Sequence, residues 1–253
     1  MAGKFLKILL TTALLLGVSL AMAEDTLLKP FVLTYRGPGS VAEKTTAVET
    51  ALTGNGFTIA GRYSPYPDAM IVVVTSDDLK ANAAASPQGG FGAVQRVAVT
   101  RVNNEIQVST TNPVYMANAY RMKGDLQDVA RQLEMALGHG EAFGAKGMTA
   151  SELRKYHYMF GMEYFTDPSV LGTYKSHEEA LNAVEKGLAG NKVGVSRVYR
   201  VDIPGGQESV FGVGMKAPSE AQKYMDDRFI MSEIDFRDIK STAHLPYELL
   251  VSG

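Results

Sequence analysis

The chain contains no cysteine. That one absence excludes disulfide staples, thiolate metal sites, cysteine nucleophiles, covalently attached c-type haem and a lipoprotein anchor together. Stability must then come from an ordinary apolar core, which about 230 residues can supply as one large domain or two small ones. Basic tracts are missing as well, so nucleic acid is not an expected partner. There is no G-x-S-x-G nucleophile elbow. Only four histidines occur, with no i, i+4 pair of the kind that zinc sites use. After residue 23 no apolar run approaches the roughly 20 residues that span a bilayer. The most apolar later stretch, Ala69 to Val74, stops at Thr75-Ser76-Asp77-Asp78.

What is present begins with Lys4 and Lys7, an apolar run from Ile8 to Leu20, and Ala21-Met22-Ala23. Charged, apolar and small-residue segments in that order form a secretory signal, so residues 1–23 are expected to be cleaved before Glu24 and the chain to work in the periplasm. Removing Lys4 and Lys7 leaves 23 basic against 27 acidic residues, a formal charge of −4. With 45% hydrophobic and 21% charged residues the composition is that of a folded globular protein.

An internal repeat is legible in the middle of the chain. Thr34-Tyr35-Arg36 matches Thr173-Tyr174-Lys175, and once Gly37-Pro38-Gly39 is taken as an insertion the correspondence stays in step. Ser40 aligns with Ser176, Glu43 with Glu179, Val48 with Val184, Glu49 with Glu185, Leu52 with Leu188, Gly54-Asn55 with Gly190-Asn191, and Tyr63 with Tyr199. Both segments open on S-x-x-E, the capping box in which hydroxyl and carboxylate satisfy free amides at a helix start. Two similar amphipathic helices would share some of these features without common descent.

The pattern predicts an α+β protein of two β-α-β-β-α-β units with antiparallel sheets and a helical linker. In the first unit, residues 24–138, a strand over 31–36 leads to a helix over 40–53 with the inner stripe Val41, Thr45, Val48 and Leu52. Strands follow over 57–63 and 69–75, then a short helix over 77–85, and a hairpin over 93–110 turns at Asn103-Asn104. The second unit, residues 170–253, is expected to begin with a strand over 170–175. A helix over 176–189, paired strands over 193–203 and 208–215, a helix over 218–232 and a last strand over 247–251 complete it. Helices are predicted over 114–122, 125–137 and 149–161, with the domain boundary in the glycine-rich stretch 138–144 and residues 139–169 as linker and connecting helix.

Two stretches carry a family resemblance. Gln95-Arg96-Val97-Ala98-Val99-Thr100-Arg101-Val102, the Asn103-Asn104 turn, Glu105-Ile106-Gln107-Val108-Ser109-Thr110-Thr111 and the step Asn112-Pro113 follow in an order similar to the closing hairpin of the domain-of-unknown-function 302 family. In the second unit Leu245-Pro246-Tyr247-Glu248-Leu249-Leu250-Val251 resembles that family's Leu-Pro strand entry, and Phe211-Gly212 its Phe-Gly step. The chain departs from the family at Val94-Gln95-Arg96, where Leu-Pro would stand, and its second copy shows no Asn-Pro step. The resemblance implies a compact α+β fold and no assigned activity.

Chemistry is sparse. His157-Tyr158-Met159-Phe160-Gly161-Met162 combines an imidazole with two thioethers, a donor set that suits copper(I) or haem iron in an exported protein. His157, Met159 and Met162 are therefore metal candidates, although Met and aromatic residues also fill irregular gaps in cores. Tyr115, Met116 and Tyr120 form a second cluster at helical spacing. Facing Met159 and Phe160, they would line a pocket for a small apolar ligand, and packing between units explains the same residues. The acidic residues Asp226, Asp227, Glu233, Asp235 and Asp238 read as a solvated helix face. The expectation is an exported soluble protein, more in keeping with binding than catalysis, that holds a small apolar ligand or a periplasmic protein at the inter-unit surface. A periplasmic copper or haem binding protein is the alternative.

Overall fold

The computed structural model describes residues 26–253 apart from Tyr158, Phe160, Lys192 and Gly206. The signal-like segment 1–23 lies outside the described residues, as does Phe160 among the ligand candidates. The architecture is α+β, with nine antiparallel strands among the described residues.

Strand β1 (Phe31–Gly37) leads through the Ser40 cap into helix α1 (Val41–Gly54). Ser40 Oγ accepts from the Glu43 amide at 3.2 Å, satisfying a donor that the helix itself cannot. Val48 and Leu52 face inward, each contributing roughly 1.5–3 kcal/mol by burial. Strands β2 (Thr58–Tyr63) and β3 (Ala69–Thr75), helix α2 (Asp77–Ala84), a 3-10 turn over Gly89–Gly92 and the hairpin of β4 (Gln95–Val102) and β5 (Glu105–Thr111) follow. Asn103 takes a positive φ of 55° in the hairpin turn, as the Asn-Asn pair leads one to expect. Asn112 then caps helix α3 (Pro113–Ala119), with proline at the first helical position where its missing N–H costs nothing. After α4 (Gln127–Leu137) the short β6 (Glu141–Phe143) pairs with β1, giving one sheet in the order β2-β3-β4-β5-β1-β6. Leu28 pairs with Met148, which ties down the segment before β1.

The second half contributes helix α6 (His177–Gly190), strands β7 (Val195–Asp202) and β8 (Glu208–Met215), helix α7 (Asp227–Ile234) and strand β9 (Tyr247–Ser252), in a sheet of order β7-β8-β9. Helix α6 repeats the features of α1. Ser176 accepts from the Glu179 amide, and Glu185 pairs with Arg197 on the next strand much as Glu49 pairs with Arg62.

Three sequence expectations fail, each for a physical reason. Residues 170–175 are not a strand, and Val170 and Leu171 are both 79% exposed. In the first half the corresponding β1 lies between β5 and β6, whereas β9 has only β8 beside it. A strand at 170–175 would have no β5 counterpart to satisfy its backbone. The second half therefore runs α-β-β-α-β, not β-α-β-β-α-β. The expected helix over 149–161 shrinks to α5 (Ala150–Leu153). Beyond it Arg154 reaches Asn118 and the Met122 carbonyl, and His157 pairs with Tyr164 across a bridge, which holds the backbone out of a helix. The expected helix over 218–232 is broken, because the Asp226 side chain accepts from the Phe229 amide and starts α7 there.

The two sheets stack. Helix α1 packs with α4 and against β2, β3 and β4, while α6 lies over β7 and β9. Alternation divides β8 between two layers. Phe211 and Val213 face α6 in a small core with Ala180, Leu188 and Val251. Val210 faces the other way and joins Tyr199, Val201, Leu245, Ile71, Val73 and Ala98 in one core that draws on both halves of the chain.

Candidate functional site

At one place the core between the sheets is polar. Arg96 on β4, Tyr199 on β7 and Glu248 on β9 converge there, with Tyr120 just past α3 beside them. The strand alternation that sends Ala98 and Thr100 toward the second sheet sends Arg96 the same way. Its Nη1 donates to the carbonyls of His244 and Pro246 at 3.3 and 3.1 Å and stands 3.9 Å from Glu248 Oε1. Tyr199 Oη donates to the same carboxylate oxygen at 2.5 Å. The Tyr199 ring occupies the space opposite Gly212, where a Cβ would lie 2.0 Å from the ring.

The charged side chains are almost wholly buried, at 9% exposed for Arg96 and 5% for Glu248. Burial raises the Glu248 carboxyl above its ordinary value, and Arg96 and the Tyr199 hydroxyl pull it only partly back. Burial raises the Tyr199 hydroxyl strongly for the same reason, with the Glu248 charge adding to it. For Arg96, burial works against the charge, but Glu248, Tyr120 and Tyr199 outweigh it and hold the guanidinium charged. Burial, with Arg96 second, lowers the exposed-rimmed His244 imidazole to about 4. These groups form a bound network, and what it does is join the sheets.

A second seam runs beside it. Tyr63 donates to Asp227 at 2.5 Å, and Asp227 also accepts from the Met215 amide. Tyr66 and Thr100 both meet the Thr242 hydroxyl, while the Gln107 amide donates to the Asp238 carbonyl and accepts from the Lys240 amide. Asp227 and Asp235 are buried while Glu233 and Asp238 are exposed, so the acidic run is a solvated face only in part. The two buried carboxylates serve as acceptors for Tyr63 and for the Ser241 amide.

The sequence candidates separate. Tyr120 stacks on Phe91 at 6.0 Å between centroids and points into the Arg96 network. Tyr115 and Met116 are half-buried on α3. Met159 is 69% exposed on the surface, so it and Tyr120 do not face each other across a closed pocket. Around His157 the geometry is local. Its Nδ1–H donates to the Met159 carbonyl at 2.6 Å, which leaves the lone pair on Nε2. The Met162 amide donates to the same carbonyl at 3.0 Å, and Met162 is 46% exposed. Among the described residues no three His, Asp or Glu side chains converge as a metal-binding group. No described helix is long and apolar enough to cross a membrane.

Of the described hollows the most enclosed is small, about 180 Å³, between β1, the end of β5 and α4. Val32, Thr34, Thr110 and Leu133 line it, and the exposed pair His139 and Glu134 stands at its rim, 2.7 Å apart. That is below the roughly 300 Å³ at which drug-sized ligand pockets begin.

Arg96, Glu248 and Tyr199 were not read as site residues in the sequence, where Tyr199 stood only as the repeat partner of Tyr63. An arginine in the inward phase of an otherwise apolar strand was the available signal for the first. The chain matches no family model, no curated protein and no solved structure.

Proposed function

We propose that the chain is an exported binding protein without catalytic chemistry, and that it recognises a partner protein through apolar side chains around α7. The carrying observation is the exposure of large apolar groups there: Phe236 at 78% and Tyr224 at 73%, with Ile234 half-exposed between them in sequence. Exposed apolar groups mark an interaction surface where they join into one patch, and these flank the two ends of the eight-residue α7. The inter-unit surface is filled by the Arg96 and Asp227 networks and the shared core, which favours a protein partner over a small apolar ligand. Export rests on the charged, apolar and small-residue order of residues 1–23. Membership of the domain-of-unknown-function 302 family is part of the same reading, supported by the β4–β5 hairpin followed by Asn112-Pro113. Internal duplication is supported by the matched serine caps, and in each copy the matched glutamate, Glu49 or Glu185, pairs with an arginine of the following strand, one position out of step between the copies.

The test is a photo-crosslinking residue placed in turn at Tyr224, Phe236 and Met135 in cells producing the full chain. Met135 is equally exposed but lies on α4. A discrete adduct from Tyr224 and Phe236, absent from Met135, supports the reading; equal labelling at all three, or none, overturns it.

The tautomer of His157 favours a second reading, a surface copper(I) site of Nε2 with the thioethers of Met159 and Met162. An open turn suits copper better than haem, which needs apolar walls. Competition with a copper(I) chelator tests this, and equal affinity in wild type and His157→Asn removes it.

A further inference from the structure

From the connection between the two halves we infer that the chain carries an endopeptidase cleavage site, and that the cut product stays folded as a two-chain protein. Asp167-Pro168-Ser169-Val170-Leu171-Gly172-Thr173-Tyr174-Lys175-Ser176 is the longest unbroken run of exposed residues among those described. Among the described residues no hydrogen bond reaches the backbone of Pro168 to Tyr174. The next held amide is that of Lys175, which donates to Glu179 Oε2 at 3.0 Å. An endopeptidase must draw several residues on either side of the scissile bond into its cleft in extended form. Exposed, unpaired backbone allows that, and backbone committed to a helix or sheet does not.

The side chains are those that an apolar specificity pocket takes. Val170 and Leu171 are the most exposed large apolar groups among the described residues, and Tyr174 is half-exposed. Of the bonds after Leu171 and Tyr174 the first is the freer, since no described hydrogen bond holds the backbone of Leu171 or Gly172, whereas the second ends on the held Lys175 amide. Side-chain exposure alone does not make a site. Tyr224 and Phe236 are also well exposed, but their backbone is engaged. Tyr224 lies in the 3-10 turn Glu220–Met225. Phe236 follows Asp235, whose amide donates to the Met231 carbonyl and whose carboxylate accepts from the Ser241 amide.

Cleavage adds water across the peptide bond, leaving a carboxylate on Leu171 and an ammonium on Gly172, both already at the surface. The halves have other ties. Arg96 reaches the His244 and Pro246 carbonyls, Tyr63 donates to Asp227, and Gln107 bonds the backbone of Asp238 and Lys240. The larger core takes residues from both sides of the cut. These contacts are made by elements folded on each side, so cutting the tether removes only its contribution to local concentration.

The test is brief digestion of the folded mature chain with chymotrypsin, whose specificity pocket takes aromatic residues and leucine. Mass spectrometry is expected to find the first cut after Leu171 or Tyr174, ahead of the more exposed aromatic residues Tyr224 and Phe236. Gel filtration should then return both fragments in one peak at the elution volume of the intact chain, and urea should separate them. The double variant Leu171→Asp, Tyr174→Asp should slow that cut at least about tenfold, because the pocket loses its apolar contact. A first cut outside 167–176, an unchanged rate in the double variant, or fragments that part on cutting overturns the inference. So does a folded chain that resists digestion while its urea-unfolded form is degraded. Digestion of the unmodified chain keeps the test decisive if the double variant fails to fold.

Discussion

Arg96 is a charge held between two sheets by carbonyls, a carboxylate and neighbouring tyrosines, and its removal would leave Glu248 buried without its cation. Breaking one partner out of a buried pair costs about 3–5 kcal/mol. Arg96→Met is accordingly expected to lower unfolding stability by that order in urea, and a change below about 1 kcal/mol would mean the pair is solvated. Asp227 gives a pH signature. Burial raises its carboxyl above the ordinary value, so between the unfolded and folded values the native state holds more protons. Its contribution is present at low pH and is lost as pH rises through the folded value. His244 acts oppositely, since the unfolded imidazole takes protons first as pH falls toward about 4. Asp227→Asn should therefore remove the decline in stability that sets in as pH rises above the ordinary carboxylate range, while leaving the His244 limb in place. Unfolding free energies of both proteins across that rise check it, and parallel curves would contradict the assignment. None of this was legible beforehand. Asp226-Asp227 reads as surface charge in one dimension, because the tyrosine that Asp227 serves lies 164 residues away.

Elements were more readable. The S-x-x-E boxes at Ser40 and Ser176 cap α1 and α6, and Asn112-Pro113 opens α3, because caps depend on side chains within a few residues of the amides they satisfy. Replacing such a cap by alanine costs about 1 kcal/mol. Ser40→Ala and Ser176→Ala should each lower stability by about that amount, measured by thermal unfolding, and no change in either would mean that helix end is held by tertiary contacts instead. Elements that depend on a distant neighbour were misread. Val170 to Lys175 has the composition of a strand but no strand beside it to pair with, and the residues after Leu153 keep helical propensity while Arg154 and the His157–Tyr164 bridge take the backbone elsewhere. Local preference loses wherever the hydrogen-bond partner is supplied or withheld by another part of the chain.

At the scale of the whole molecule the two halves share a core, so they are expected to unfold together. Gly61 is the point of closest approach, and a methyl there meets the Val198 carbonyl and the Tyr199 Cβ. Gly61→Ala should cost about 1–3 kcal/mol by overpacking, whereas Gly54→Ala, with open space around it, should be neutral or slightly stabilising. Denaturant unfolding followed by circular dichroism checks both. A single transition that moves for Gly61→Ala is the expected result, and two separate transitions would show the halves to be independent. The sequence by itself determined the α+β class, the similarity of two helix-and-strand segments and the exclusion of thiol chemistry, since composition, period and capping are local properties of the chain. Only the tertiary structure decided that the surface between the halves is filled and that Met159 lies exposed on the surface. Those follow from which faces bury each other, and burial is a property of the assembled layers.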